Sequence, residues 1–75
     1  MPYARRLPSR AMKMMIQKRK AQFVHFPIGC EISYKNSDDS FGIVVSYDLR
    51  LGRLLTNQGG SFDPIAMKVL HKSED

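Results

Sequence analysis

The sequence predicts a mainly β domain of five short strands, preceded by a basic arm that is helical in its second half. Three observations carry this. Residues 23–72 break into short runs rich in β-branched and aromatic residues, each bounded by turn chemistry. Residues 9–22 contain neither Gly nor Pro and are dominated by Met, Lys, Arg, Ala and Gln. The charge is segregated: residues 1–26 carry seven Lys/Arg and no acid, while residues 27–75 carry five Lys/Arg against seven Asp/Glu. The resulting organisation is an arm over residues 1–21, a folded domain over 22–72 and a short tail over 73–75.

Residues 1–8 hold two prolines and no apolar period, so they read as a tail. Ser9 occupies an N-cap position ahead of the helix-forming run. Met12, Met15, Ile16 and Phe23 share one helical face, which Arg19 interrupts. From Gln22 the texture becomes β, and Pro27 disfavours helix at Phe26. Cys30, Ile32 and Tyr34 alternate with polar residues and are expected on an inner face. Residues 36–40 form a polar loop. Residues 41–47 are the most β-prone run, with Ile43, Val45 and Tyr47 expected inward. Residues 48–52 read as a hairpin loop with Gly52 in the left-handed conformation. Residues 53–57 return, 58–61 turn again, and Asp63-Pro64-Ile65-Ala66 is a single helical turn with Pro64 at its first position. Residues 67–72 make the last strand.

The chain of 75 residues is one domain at most. Domains this small bury only about 60% of the surface that the unfolded chain exposes. Cys30 is the single cysteine, so no disulfide within the chain staples the fold, and no Cys/His cluster has zinc spacing. The missing stability is expected from the arm packing back, from self-association as a homodimer, or from a partner. A lone thiol suits a reducing compartment, and the expected location is cytoplasmic. Met14-Met15-Ile16 is far too short an apolar run for a signal peptide or a membrane span.

Five strands with one helical turn before the last resemble the SH3-like small barrels. Ile28-Gly29-Cys30-Glu31-Ile32 resembles the opening of KOW and Tudor-like barrels. Residues 41–48 followed by Gly52-Arg53-Leu54-Leu55 resemble their second and third strands, and residues 64–70 their closing turn and strand. The resemblance implies a five-stranded SH3-like barrel behind an N-terminal basic helix. The plasmid-encoded dihydrofolate reductase is built on a barrel of similar size. Its substrate-binding stretch is replaced here by Ser61-Phe62-Asp63-Pro64, so reductase activity is not supported.

A basic segment without acids is suited to phosphate contact, because each Lys or Arg releases counterions from a polyanion regardless of base sequence. The expected contacts are Arg5, Arg6, Arg10, Lys13, Lys18, Arg19 and Lys20, assisted by Arg50 and Arg53 on the hairpin. DNA and RNA fit equally, and no set of side chains for base-edge readout is visible. The alternative partner is an acidic protein surface, with Met12, Met15, Ile16 and Phe41 as docking residues. Helix methionines more often pack a core than face a partner, and here they are expected to complete a thin one. Tyr34, Tyr47 and Phe62 are expected to be buried, with Phe41 the best exposed candidate for stacking or for an aromatic cage.

The remaining residues offer no catalytic chemistry. Asp38 and Asp39 lack a third oxygen ligand at fixed spacing and read as a solvated loop. His25 and His71 stand apart and beside no acid. Cys30 reads as a small buried side chain rather than a nucleophile. No Ser-His-Asp order, Gly-rich phosphate loop or metal-ligand spacing is present. The chain is therefore expected to be a non-enzymatic regulatory or binding protein without a cofactor.

Overall fold

The computed structural model of the chain describes residues 9–70. Helix α1 spans Arg10–Ala21. It begins as the sequence predicts, because the Ser9 hydroxyl accepts the Met12 amide at 3.0 Å and satisfies one of the unpaired donors of the first turn. Lys18, Arg19 and Lys20 fall in its last turn, where positive charge complements the helix dipole.

The β texture expected from Gln22 onward does not begin there. Phe23–His25 is a 3-10 turn closed by His25 N–H to Gln22 O and Phe26 N–H to Phe23 O, both 2.9 Å. The turn drives Phe26 into the core, 4% exposed, and stacks Phe23 on Tyr47 with ring centroids 4.4 Å apart. Inward packing of two aromatic rings thus outweighs local β propensity.

Five strands follow: β1 (Ile32–Tyr34), β2 (Val44–Asp48), β3 (Arg53–Thr56), β4 (Ser61–Phe62) and β5 (Met67–Val69). They form two antiparallel sheets, β1-β5 and β2-β3-β4. Ser61, read from sequence as part of a turn, instead pairs with Leu55 in β4. A bridge between Glu31 and Ile43 ties the sheets together, with hydrogen bonds from Val44 N–H to Cys30 O (2.9 Å) and Phe41 N–H to Ile32 O (2.9 Å). Among the described residues the two sheets are linked by this single bridge rather than by a continuous ladder, and no closed barrel is seen. The helical turn Pro64–Ala66 lies where the sequence places it, with the Asp63 carboxylate accepting the Ile65 amide at 2.9 Å.

The core consists of Phe26, Ile32, Val44, Leu54 and Met67. Val44 is fully buried, whereas Ile43 and Val45 are 40% and 50% exposed, the reverse of the alternation read from sequence. The cause is a bulge: Val44 pairs with Thr56 but Ser46 pairs with Leu55, so Val45 is an extra residue. An extra residue exchanges the two faces, which puts Val44 inward before it and half-buried Tyr47 inward after it. Tyr34 also departs from expectation. It lies at the rim of the sheet, 38% exposed, while its neighbour Ser33 is buried with its hydroxyl donating to Ser37 O at 3.1 Å.

The loop between β2 and β3 seats the helix. Asp48 Oδ1 accepts the amides of Arg50 and Leu51 at 3.0 and 3.1 Å, and Gly52 N–H closes the turn on Asp48 O at 2.7 Å. Gly52 has φ +73°, and a Cβ there would lie 2.8 Å from Arg19 Cβ and 3.0 Å from Ile16 O. Gly59 has a similar φ of +82° but faces open space. Both Gly→Ala variants carry a left-handed strain of about 1–2 kcal/mol. Gly52→Ala must in addition push α1 off the turn. In denaturant titration it is expected to be the more destabilising of the two, with a loss of helical circular dichroism that Gly59→Ala does not show. Equal effects would mean that the helix is not seated at Gly52.

Candidate nucleic-acid interface

Arg10, Lys13, Gln17 and Lys20 recur at helical spacing and so share one face of α1. Arg10 and Lys13 are exposed and Lys20 is half-buried. Ten residues of helix place Arg10 and Lys20 about 15 Å apart along the axis. Lys18 projects from a different side. It lines an open groove of about 460 Å³ with Ala21, Gln22, Lys35 and Ile65. No acid lies in α1 or along this groove. Lys35 gave no signal in the sequence, since a single lysine after a strand is unremarkable there. Its amide donates to Ala66 O at 3.0 Å, and that tertiary bond brings it beside the helical turn and opposite Lys18.

Two of the expected contact residues are turned to internal use. Arg19 Nη1 donates to Leu51 O at 3.0 Å, and Nη2 lies 3.5 Å from Met15 Sδ. Arg19 Nε sits 3.3 Å from Asp63 Oδ2, with the two side chains 18% and 30% exposed. That Nε makes no aligned hydrogen bond, so its attraction to Asp63 is Coulombic. Arg53 donates through Nε to Ser61 Oγ (2.9 Å) and through Nη2 to Ser61 O (3.0 Å), clamping β3 to β4. Arg50 is exposed in the hairpin turn. Arg5 and Arg6 lie outside the described residues, as does His71.

Three of the described acids are engaged away from the cations of the helix row and the groove. Asp63 meets Arg19, Asp48 accepts turn amides, and Asp38 receives Lys68 Nζ at 2.9 Å. Neither ion pair formed by the described residues involves Arg10, Lys13, Lys18, Lys20, Lys35 or Arg50.

The apolar candidates separate. Ile16 is half-buried and its carbonyl faces Gly52. The methionines do not complete the core as expected: no residue of α1 is buried, and Met12, Met14 and Met15 are 56%, 57% and 48% exposed. Among the described residues the contacts of the helix with the domain come from Ile16 and Arg19 in its second half, and its first turns are exposed.

Phe41 belongs to a three-ring cluster with Tyr34 and Phe62, edge to face, with centroids 4.9–5.9 Å apart. Rings in such mutual contact leave no gap for a cation, so the cluster is not an aromatic cage. Tyr34 on one sheet and Phe62 on the other instead cover the seam between them. Tyr47 stacks on Phe23 and donates its hydroxyl to Phe26 O at 2.7 Å, holding the other end.

Cys30 is half-buried, and burial pushes its thiol pKa up against a smaller lowering by a backbone hydrogen bond. The neutral thiol is the form the fold favours. Its contribution is therefore complete below the unfolded thiol pKa of about 8.5 and is lost as pH rises from there through the folded value. At pH 8, alkylation by iodoacetamide is expected to be several-fold slower in the native chain than in urea. Equal rates would show an accessible, unperturbed thiol.

No described helix is long and apolar enough to cross a membrane. No family model, curated protein or solved structure matches the chain.

Proposed function

We propose that the chain is a small non-enzymatic protein that binds nucleic acid with low sequence specificity through α1 and the groove beside it. The observation that carries this is the acid-free helix with Arg10, Lys13 and Lys20 on one face and Lys18 turned toward Lys35, none of them in an ion pair among the described residues. Phosphates approaching that side meet cations whose charge is not cancelled, and each contact releases counterions. Long, separated lysines position a backbone and read no base edges, so affinity should depend on salt far more than on sequence. The Arg19–Asp63 contact holds the end of the helix against the domain, which spares a partner some of the ordering cost.

An SH3-like barrel is the fold on which we place this activity. Supporting it are the hydrogen-bonded succession β5-β1-β2-β3-β4, taking the Glu31–Ile43 bridge as the β1-β2 link, and the helical turn before β5. The lone thiol fits a reducing, cytoplasmic setting.

The test is the salt dependence of binding to a fluorescent 20-base-pair duplex of arbitrary sequence. Neutralising Lys13, Lys18 and Lys20 together to Gln should flatten the slope of log K against log salt by about 2.7, or about 0.9 for each phosphate no longer neutralised. Arg19 is left in place, because its removal would release the helix. Lack of measurable binding at low salt, or an unchanged slope in the triple variant, would end the proposal.

A further inference from the structure

The side of α1 away from Arg10, Lys13 and Lys20 carries Met12 and Met15 around Arg19, and no other described residue buries these methionines. Met12 and Met15 lie there at 56% and 48% exposure, and Leu49 and Leu51 of the hairpin turn are 63% and 39% exposed. Helix and turn are held shoulder to shoulder. The Arg19 guanidinium places one nitrogen 3.5 Å from Met15 Sδ and another 3.0 Å from the Leu51 carbonyl, and Ile16 O closes on Gly52. Two cations border these side chains in the chain. Arg50 is exposed between the two leucines, and Lys18 is exposed one helical step from Met15. The acids of this region are occupied, Asp63 by Arg19 and Asp48 by the turn amides.

We propose that Met12, Met15, Leu49 and Leu51 form a docking surface for an acidic amphipathic helix of a partner protein. An apolar patch with a charged rim marks a protein-interaction site more often than a solvated surface. Methionine side chains adapt to an irregular apolar stripe, and Arg50 and Lys18 select acids on its flanks. The same charges disfavour a second copy, because a two-fold contact across this face would set Arg50 and Lys18 against their own equivalents. Nucleic acid offers no apolar stripe to match the methionines. An anionic bilayer shares part of the chemistry, but the patch lacks the aromatic side chains typical of interfacial helices. The four apolar side chains lie off the Arg10, Lys13 and Lys20 row of α1, and of the nucleic-acid contacts named above Lys18 alone borders them.

The test titrates the full chain, labelled at its methionine methyl groups, with an 18-residue peptide bearing Leu at i, i+3, i+4 and i+7 and Glu on its other faces. The Met12 and Met15 methyl signals should shift, while that of Met67, 2% exposed in the core, should not. The double variant Met15→Gln, Leu49→Gln should weaken the peptide at least tenfold with an unchanged melting temperature. It should also keep its duplex affinity, so that failure here is distinct from failure of the nucleic-acid proposal. The docking proposal is overturned by any of four results. A peptide of the same composition with scrambled leucines shifts the signals equally. Vesicles containing phosphatidylserine shift them and the peptide does not. The signals move with protein concentration alone, which would reveal a second copy. The double variant binds the peptide unchanged.

Discussion

The guanidinium of Arg19 is the contact on which the arrangement of helix and domain depends. It reaches the Leu51 carbonyl of the β2-β3 turn and the Asp63 carboxylate ahead of the last helical turn, so one side chain ties α1 to both sheets' connections. Its strength comes more from the backbone carbonyl than from the ion pair. A hydrogen bond from a charged donor contributes about 1.5–3 kcal/mol net, whereas a partly exposed ion pair contributes about 0–1 kcal/mol. The contact also requires Gly52, because any Cβ at that position would occupy the space where Arg19 Cβ and Ile16 O approach the turn. An arginine that looks like one more member of a basic run is thus a structural strut.

That strut sets the helix's orientation and therefore what each of its faces can do. With Arg19 and the Ile16 carbonyl directed at the turn, Arg10 and Lys13 are exposed, Lys20 is half-buried beside them, and Lys18 lines the groove together with Lys35. The helix methionines are left exposed rather than under the sheets, with Met15 joined to Leu51 through Arg19. A cationic side and a methionine side then coexist on one short helix, with Lys18 bordering both. Both depend on the same docking, so a change at Gly52 or Arg19 would disturb them together, while a change at Lys13 or at Met12 acts on one side only.

The domain holds together without a staple because its ends are sealed by aromatic rings. Tyr34, Phe41 and Phe62 cover the seam between the sheets at one end, and Phe23 stacked on Tyr47 covers the other. Five buried apolar side chains form a thin core for a chain of this length. The ring contacts extend it outward, which is why half-exposed aromatic residues here are packing elements before they are binding elements.

Local chemistry was legible in the sequence by itself. Ser9 marks the start of α1, Pro27 ends the helical path, Gly52 marks the left-handed turn residue, and Asp63-Pro64 starts the last helical turn. Each of these follows from dihedral restriction or a hydrogen bond within a few residues. The segregation of charge was equally legible, because it is a property of composition. Only the tertiary structure decided which cations face outward, since the roles of Arg19, Arg53 and Lys35 arise from partners 8 to 44 residues away. It also decided the faces of β2, because the bulge at Val45 appears only when β2 is paired with β3. Sequence spacing reports a strand's period but not an insertion in its register, and it reports a charge but not the carbonyl that a neighbouring turn brings to it.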